Sequence, residues 1–159
     1  MTKKKIIGAI GGVVALAGAA FILVTSGIPS SASNLSHLRG TDAYYTEATP
    51  QTQVGVGGEL LTNLADKTIA KMTFNAEFRV GREWAADSPD AAAAAFAKNT
   101  TRVRSALIVM MGSKTSSDLR GSSLLTFKEE VVQMLNRIVF PDGMARVDDI
   151  VFETLLVQS

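Results

Sequence analysis

The chain contains no cysteine among its 159 residues. Disulfides, thiolate nucleophiles and cysteine-ligated metals are excluded outright. The absence also suits an oxidising compartment, where a stray thiol is a liability. Histidine occurs once, at His37. A single imidazole with no cysteine or carboxylate at ligand spacing makes a poor metal site, so no metal ligand is expected. Clustered positive charge is also missing outside the first few residues. The formal net charge is +1, and Lys3, Lys4 and Lys5 account for three positive charges, leaving about −2 for the rest. A nearly neutral remainder offers little to a phosphate backbone, so no nucleic-acid partner is expected.

What the sequence does have is one long apolar run. Ile6 to Val24 is 19 residues without a charge. At a helical rise of 1.5 Å per residue it spans roughly 28 Å, close to the hydrocarbon thickness of a bilayer. Helical geometry satisfies the backbone inside lipid despite the glycines. The three lysines precede the run, so the positive-inside rule places the N-terminus in the cytoplasm and the chain after Thr25 outside. The competing reading is a cleaved signal peptide. Its apolar core is normally about 7–15 residues long, shorter than this one. Ser31-Ala32-Ser33 would be its small-residue cleavage patch. Within the run, Gly8 and Gly12 stand four apart. That spacing opens a groove for close helix packing, although glycine is common in such helices for other reasons.

Residues 26–53 are rich in Ser, Thr, Gly and Ala and hold no sustained period, which reads as a stalk or linker. Tyr44-Tyr45 marks either an interfacial belt or the onset of packing. Gly55 to Leu64 reads as one glycine-loosened strand, and Asp66-Lys67 as a turn. The clearest element follows, at Ile69–Val80. Met72, Phe74, Ala76, Phe78 and Val80 alternate with Lys71, Thr73, Asn75, Glu77 and Arg79, the pattern of a half-buried strand.

Ser88-Pro89-Asp90 is a helix start, with Ser88 able to cap and Pro89 at the first helical position. Phe96, Val103, Ala106, Leu107, Met110 and Met111 supply its core-facing stripe. Arg102 and Arg104 read as solvated charges beside that stripe. Gly112 to Gly121 is a polar connection. A second helix over about Ser123–Phe140 lines up Leu124, Phe127, Val131, Leu135 and Ile138. Thr126 to Glu129 also fits a capping box, which would move its start inward. Pro141-Asp142-Gly143 ends it in a turn.

The last strand, Val147–Val157, is apolar on both sides. Strict alternation sends Ile150, Phe152 and Leu156 one way and Val151, Leu155 and Val157 the other. Two apolar faces suggest a central strand or one completed by a second subunit, making Val151, Leu155 and Val157 the candidate oligomer-facing set. The order β-β-α-α-β is that of a small α+β domain over residues 54–159.

Catalytic machinery is not expected. Lys114 lies among serines, but a serine–lysine nucleophile also needs an oxyanion hole and a positioned base. Asp148 and Asp149, as strand neighbours, point apart. Glu129 and Glu130 sit about 100° apart on a helix and suit a solvated face. No catalytic residue, cofactor-binding residue or cofactor is therefore assigned.

Several stretches together resemble the flagellar basal-body-associated FliL family. They are the lysine-led span, Leu61-Thr62-Asn63-Leu64-Ala65-Asp66, and Val103 to Asp118 with its Ser-Lys-Thr-Ser-Ser-Asp ending. Phe127-Lys128-Glu129-Glu130 to Asn136 follows, then Val147 to Glu153 and a terminal Leu-Val-Gln. The Ser/Ala-rich stalk and the Gly-Val-Gly-Gly opening of the first strand depart from the family pattern. The resemblance implies a non-enzymatic motor component with a cytoplasmic tail at 1–5, a transmembrane helix at 6–25 and a stomatin-like periplasmic domain. It implies a homo-oligomer, in ring form or otherwise, beside stator and basal-body proteins in the inner membrane. The alternative is a membrane-tethered periplasmic binding or scaffold module unrelated to the flagellum.

Overall fold

The computed structural model describes residues 35–45, 52–82 and 88–158. The expected span, with Gly8 and Gly12, lies outside these residues. Among those described, no helix is long and apolar enough to cross a membrane.

The strand with strict alternation organises everything else. It runs Ile69–Val80, and every second side chain from Ala70 to Val80 is buried. Two short strands, β1 (Thr52–Gly55) and β2 (Leu60–Asn63), share one flank of this third strand, β3. Both pair antiparallel to it, β1 opposite Asn75–Phe78 and β2 opposite Ile69–Met72. They occupy one lane broken in the middle, so the single strand expected over Gly55–Leu64 is two. Gly57 and Gly58 cause the break, with φ of 71° and 63°. That left-handed backbone is open to glycine and incompatible with a continuing strand. Arg104 then fixes the loop, donating to the carbonyls of Gly57 (2.8 Å) and Glu59 (2.9 Å). It is a clamp rather than the solvated charge expected of it.

Helix α1 spans Ser88–Gly112 and α2 spans Ser123–Val139. Phe96, Val103, Leu107 and Met111 of α1 are buried, and so are Phe127, Val131, Leu135 and Val139 of α2. These spacings put each set on one helical face. Both faces pack against the sheet in one hydrophobic core. Phe96 stands edge-on to Phe140 with ring centroids 5.3 Å apart. Ser122 precedes α2 without a side-chain capping bond, so the helix does not wait for the Thr126 box.

The last strand, β4 (Ala145–Gln158), pairs antiparallel with β3 along its whole length. The order is therefore β-β-β-α-α-β, an α+β fold with two helices on one face of the sheet. β4 lies at the sheet's other flank rather than its centre. Register shifts between Thr73/Phe74 and Glu77/Phe78 leave Glu153 and Asp148 as extra residues. Each bulge resets which side chains face the core. Ala145 and Val147, then Ile150 and Phe152, then Leu155 and Val157 all sit opposite inward residues of β3. Val151 and Leu156 face outward with Asn75 and Lys71. The two apolar faces read from strict alternation are thus one core face interrupted twice, plus two outward side chains.

Candidate functional site

The turn between β2 and β3 and the connection between the helices meet at one end of the sheet. Lys67 in the turn has φ of 68°, an uncommon backbone for a side-chain-bearing residue. Asp66 supports it from the preceding position. One carboxylate oxygen accepts from the Thr68 amide (3.1 Å) and hydroxyl (2.6 Å). The other accepts from the Ser116 amide at 2.7 Å. The hydroxyl of Thr68 and the Ser116 amide hold the Asp66 carboxyl well below the usual carboxylate range. The Ala65 amide donates to the Lys114 carbonyl at 2.8 Å. Within the 113–118 connection, Asp118 accepts from the Thr115 amide and hydroxyl, both at 2.7 Å, which lowers its own pKa. The Lys114 ammonium reaches α2 and pairs with Glu130 (2.7 Å).

A second set of polar contacts ties α2 to β4. Lys128 pairs with Asp149 (2.8 Å). The Asn136 amide takes both backbone groups of Val147, donating to its carbonyl (2.9 Å) and accepting from its N–H (2.8 Å). The bulge residue Asp148 accepts from Arg79 and, at 2.9 Å, from Arg146. Arg146 in turn pairs with Asp42 (2.7 Å) and lies 4.7 Å from the centre of the Tyr45 ring.

Through these contacts residues 35–45 are strapped onto the sheet end. Tyr44 and Tyr45 are buried, and Tyr45 forms a bridge with Gly81. The Tyr45 hydroxyl donates to the Gly143 carbonyl at 2.7 Å. Burial pushes the Tyr45 phenol up. Gly81 is required by the Tyr44 ring, because a β-carbon there would stand 1.9 Å from it. The two tyrosines therefore mark packing rather than an interfacial belt.

A model of the flagellar basal body-associated protein FliL family matches residues 54–158. The chain belongs to the FliL family. FliL proteins are structural components of the flagellar basal body and not a known enzyme family. A comparison with curated proteins gave no match. Four of the stretches that carried the FliL resemblance, residues 61–66, 103–118, 127–136 and 147–153, are joined to one another in the structure. Asp66 meets Ser116, Lys114 meets Glu130, Lys128 meets Asp149, and Asn136 meets Val147. Their residue types serve clamping between elements. The serines near Lys114 are turned to other partners: Ser113 donates to the Met110 carbonyl and Ser117 shares a hydrogen bond with Thr115.

The expected oligomer-facing residues of β4 do not share a face. Val151 is 40% exposed on the outer face, while Leu155 and Val157 pack partly against the core. His37 is exposed in a short 3-10 helix at Leu35–Leu38. No local sequence pattern groups Arg79, Arg146, Asp42 and the tyrosine strap, which only the fold brings together. The adjacent Tyr44-Tyr45 pair in a small-residue segment was the one signal available. Two clefts of about 390 and 380 Å³ flank this region. The first is lined by Arg39, Tyr45, Asn136 and Arg146, and the second by Leu125, Lys128, Glu129 and Asp149.

Proposed function

We propose that the chain is a non-enzymatic flagellar motor component anchored in the inner membrane by residues 6–25. Residues 1–5 lie in the cytoplasm, and the domain beyond the tether lies in the periplasm. It assembles with copies of itself, as a ring or a partial ring, beside the stator units and supports torque. The observation that carries this reading is the FliL match over residues 54–158. The lysine-led apolar run ahead of it supports the membrane anchor. Gly8 and Gly12 would let neighbouring spans pack closely. In this reading the second half of β4, from Val151 through Leu155 to Val157, is the strand that meets a neighbouring copy, with Val151 on the outer face and Leu155 and Val157 held against the core. The polar clamps described above suit a rigid load-bearing module, since their charged groups are already engaged with one another.

An in-frame deletion tests the proposal. Swimming in soft agar and swarming on firm agar should fall while filaments still assemble, and the intact gene should restore both. Wild-type motility in both media would overturn it and favour a tethered module with another envelope partner.

A further inference from the structure

The two flanks of the sheet are open among the described residues: no strand pairs with the outer edge of β2 or of β4. An open edge is a template for pairing with another chain. Most of the β4 edge is obstructed. Asn136 occupies the backbone of Val147, and the bulges at Asp148 and Glu153 interrupt the ladder. Beyond Glu153 the strand is regular and uncharged, reading Thr154-Leu155-Leu156-Val157-Gln158. The opposite lane shows a similar division. Its β2 segment is uncharged Leu60-Leu61-Thr62-Asn63, set off from β1 by the Gly57-Gly58 loop.

These two free segments stand at the same height. Leu61, Lys71 and Leu156 form one row across β2, β3 and β4, and Asn63, Ile69 and Gln158 form the next row on the same face. Both leucines point outward and are exposed, Leu61 at 62% and Leu156 at 51%. Ile69 beside them is 45% exposed. β2 and β4 are each antiparallel to β3 and so run parallel to one another. A second copy displaced along the sheet by about three strand spacings of 4.8 Å brings its β2 alongside the first copy's β4. The rows then match, and Leu156 meets the next copy's Leu61.

We propose that copies of this chain join edge to edge, residues 154–158 of one beside residues 60–63 of the next. The contact is heterologous, so an open assembly keeps one free edge of each kind at its two ends and grows until rotation closes it into a ring. This pairing rests on the oligomeric reading above and adds its surface and its direction.

The absence of native cysteine makes a direct test available. Adjacent parallel strands hold matched residues about 4.8 Å apart, within the Cα range a disulfide tolerates. Full-length protein in membranes carries Leu61→Cys, Leu156→Cys or both, and is oxidised mildly. Each single variant should stay uncrosslinked. Co-expressed single variants should give a covalent dimer and nothing larger. The double variant should give a ladder of dimers, trimers and beyond. Leu156→Lys should abolish the higher-mass species in mild detergent without altering the melting temperature by more than a few degrees. A dimer from Leu156→Cys alone would overturn the proposal in favour of symmetric pairing. No ladder from a protein that is still oligomeric in detergent would overturn the edge assignment while leaving self-assembly intact. A monomeric wild-type chain would overturn both.

Discussion

β3 and β4 run side by side over the same rows, yet one uses 12 residues and the other 14. β3 alternates without a fault, and its inward side chains from Ala70 to Val80 are all buried. β4 absorbs two extra residues, Asp148 and Glu153, and at each the inward phase shifts by one. A strand held on both flanks cannot slip without moving its whole core set to the wrong face. A flank strand can bend outward at a bulge and keep its apolar residues inward. The regular strand therefore holds the core, whereas the bulged one leaves only its last five residues available for pairing.

That contrast can be broken most severely in β3. Deleting Thr73 reverses the facing of everything on one side of the gap, sending Ala70 and Met72 outward or Phe74, Ala76 and Phe78 out of the core. No cooperative unfolding transition should remain by circular dichroism. Retention of a native-like melt would show that β3 tolerates a phase change.

Asp148→Ala acts at the bulge opposite Glu77 and Phe78. It leaves Arg79 and Arg146 without the carboxylate between them, in a site where Asp148 is 14% exposed. Losing a partly buried partner of this kind costs about 2 kcal/mol. Urea unfolding checks it through the shift of the midpoint at unchanged slope. A shift below about 0.5 kcal/mol would reduce the bulge to a surface feature.

Deleting Glu153 should have the smallest effect. Phe152 and Thr154 would then face Phe74 and Thr73 in regular pairing, with every inward residue still inward. The cost is chiefly the hydrogen bond from Asn75 to Glu153, at 2.9 Å, worth about 1 kcal/mol or less. A loss comparable to the Thr73 deletion would mean that the bulge itself holds the strand's curvature.

The same contrast explains what could be read ahead of the structure. β3 was legible because strict alternation is the signature of a half-buried strand, and α2 because Phe127, Val131 and Leu135 recur every four residues. β4 was legible as a strand but not in its facing. A bulge leaves no mark in a run such as Asp-Ile-Val-Phe-Glu-Thr-Leu-Leu, where apolar residues fill both phases. The split of the first lane was signalled by Gly57-Gly58, but glycine in a strand does not by itself announce two consecutive left-handed residues. The clamps joining Asp66 to Ser116 and Asn136 to Val147 bring together residues 50 and 11 positions apart. No local pattern encodes such a contact. The tyrosine strap depends on a cleft at Gly81 that exists only once the sheet has formed.

The mass of the full-length chain in a mild detergent tests the central claim most directly. One chain weighs 16.8 kDa. Light scattering corrected for bound detergent should return a defined multiple of that mass, independent of dilution over a tenfold range. A single-chain mass at every concentration would contradict an assembled motor component.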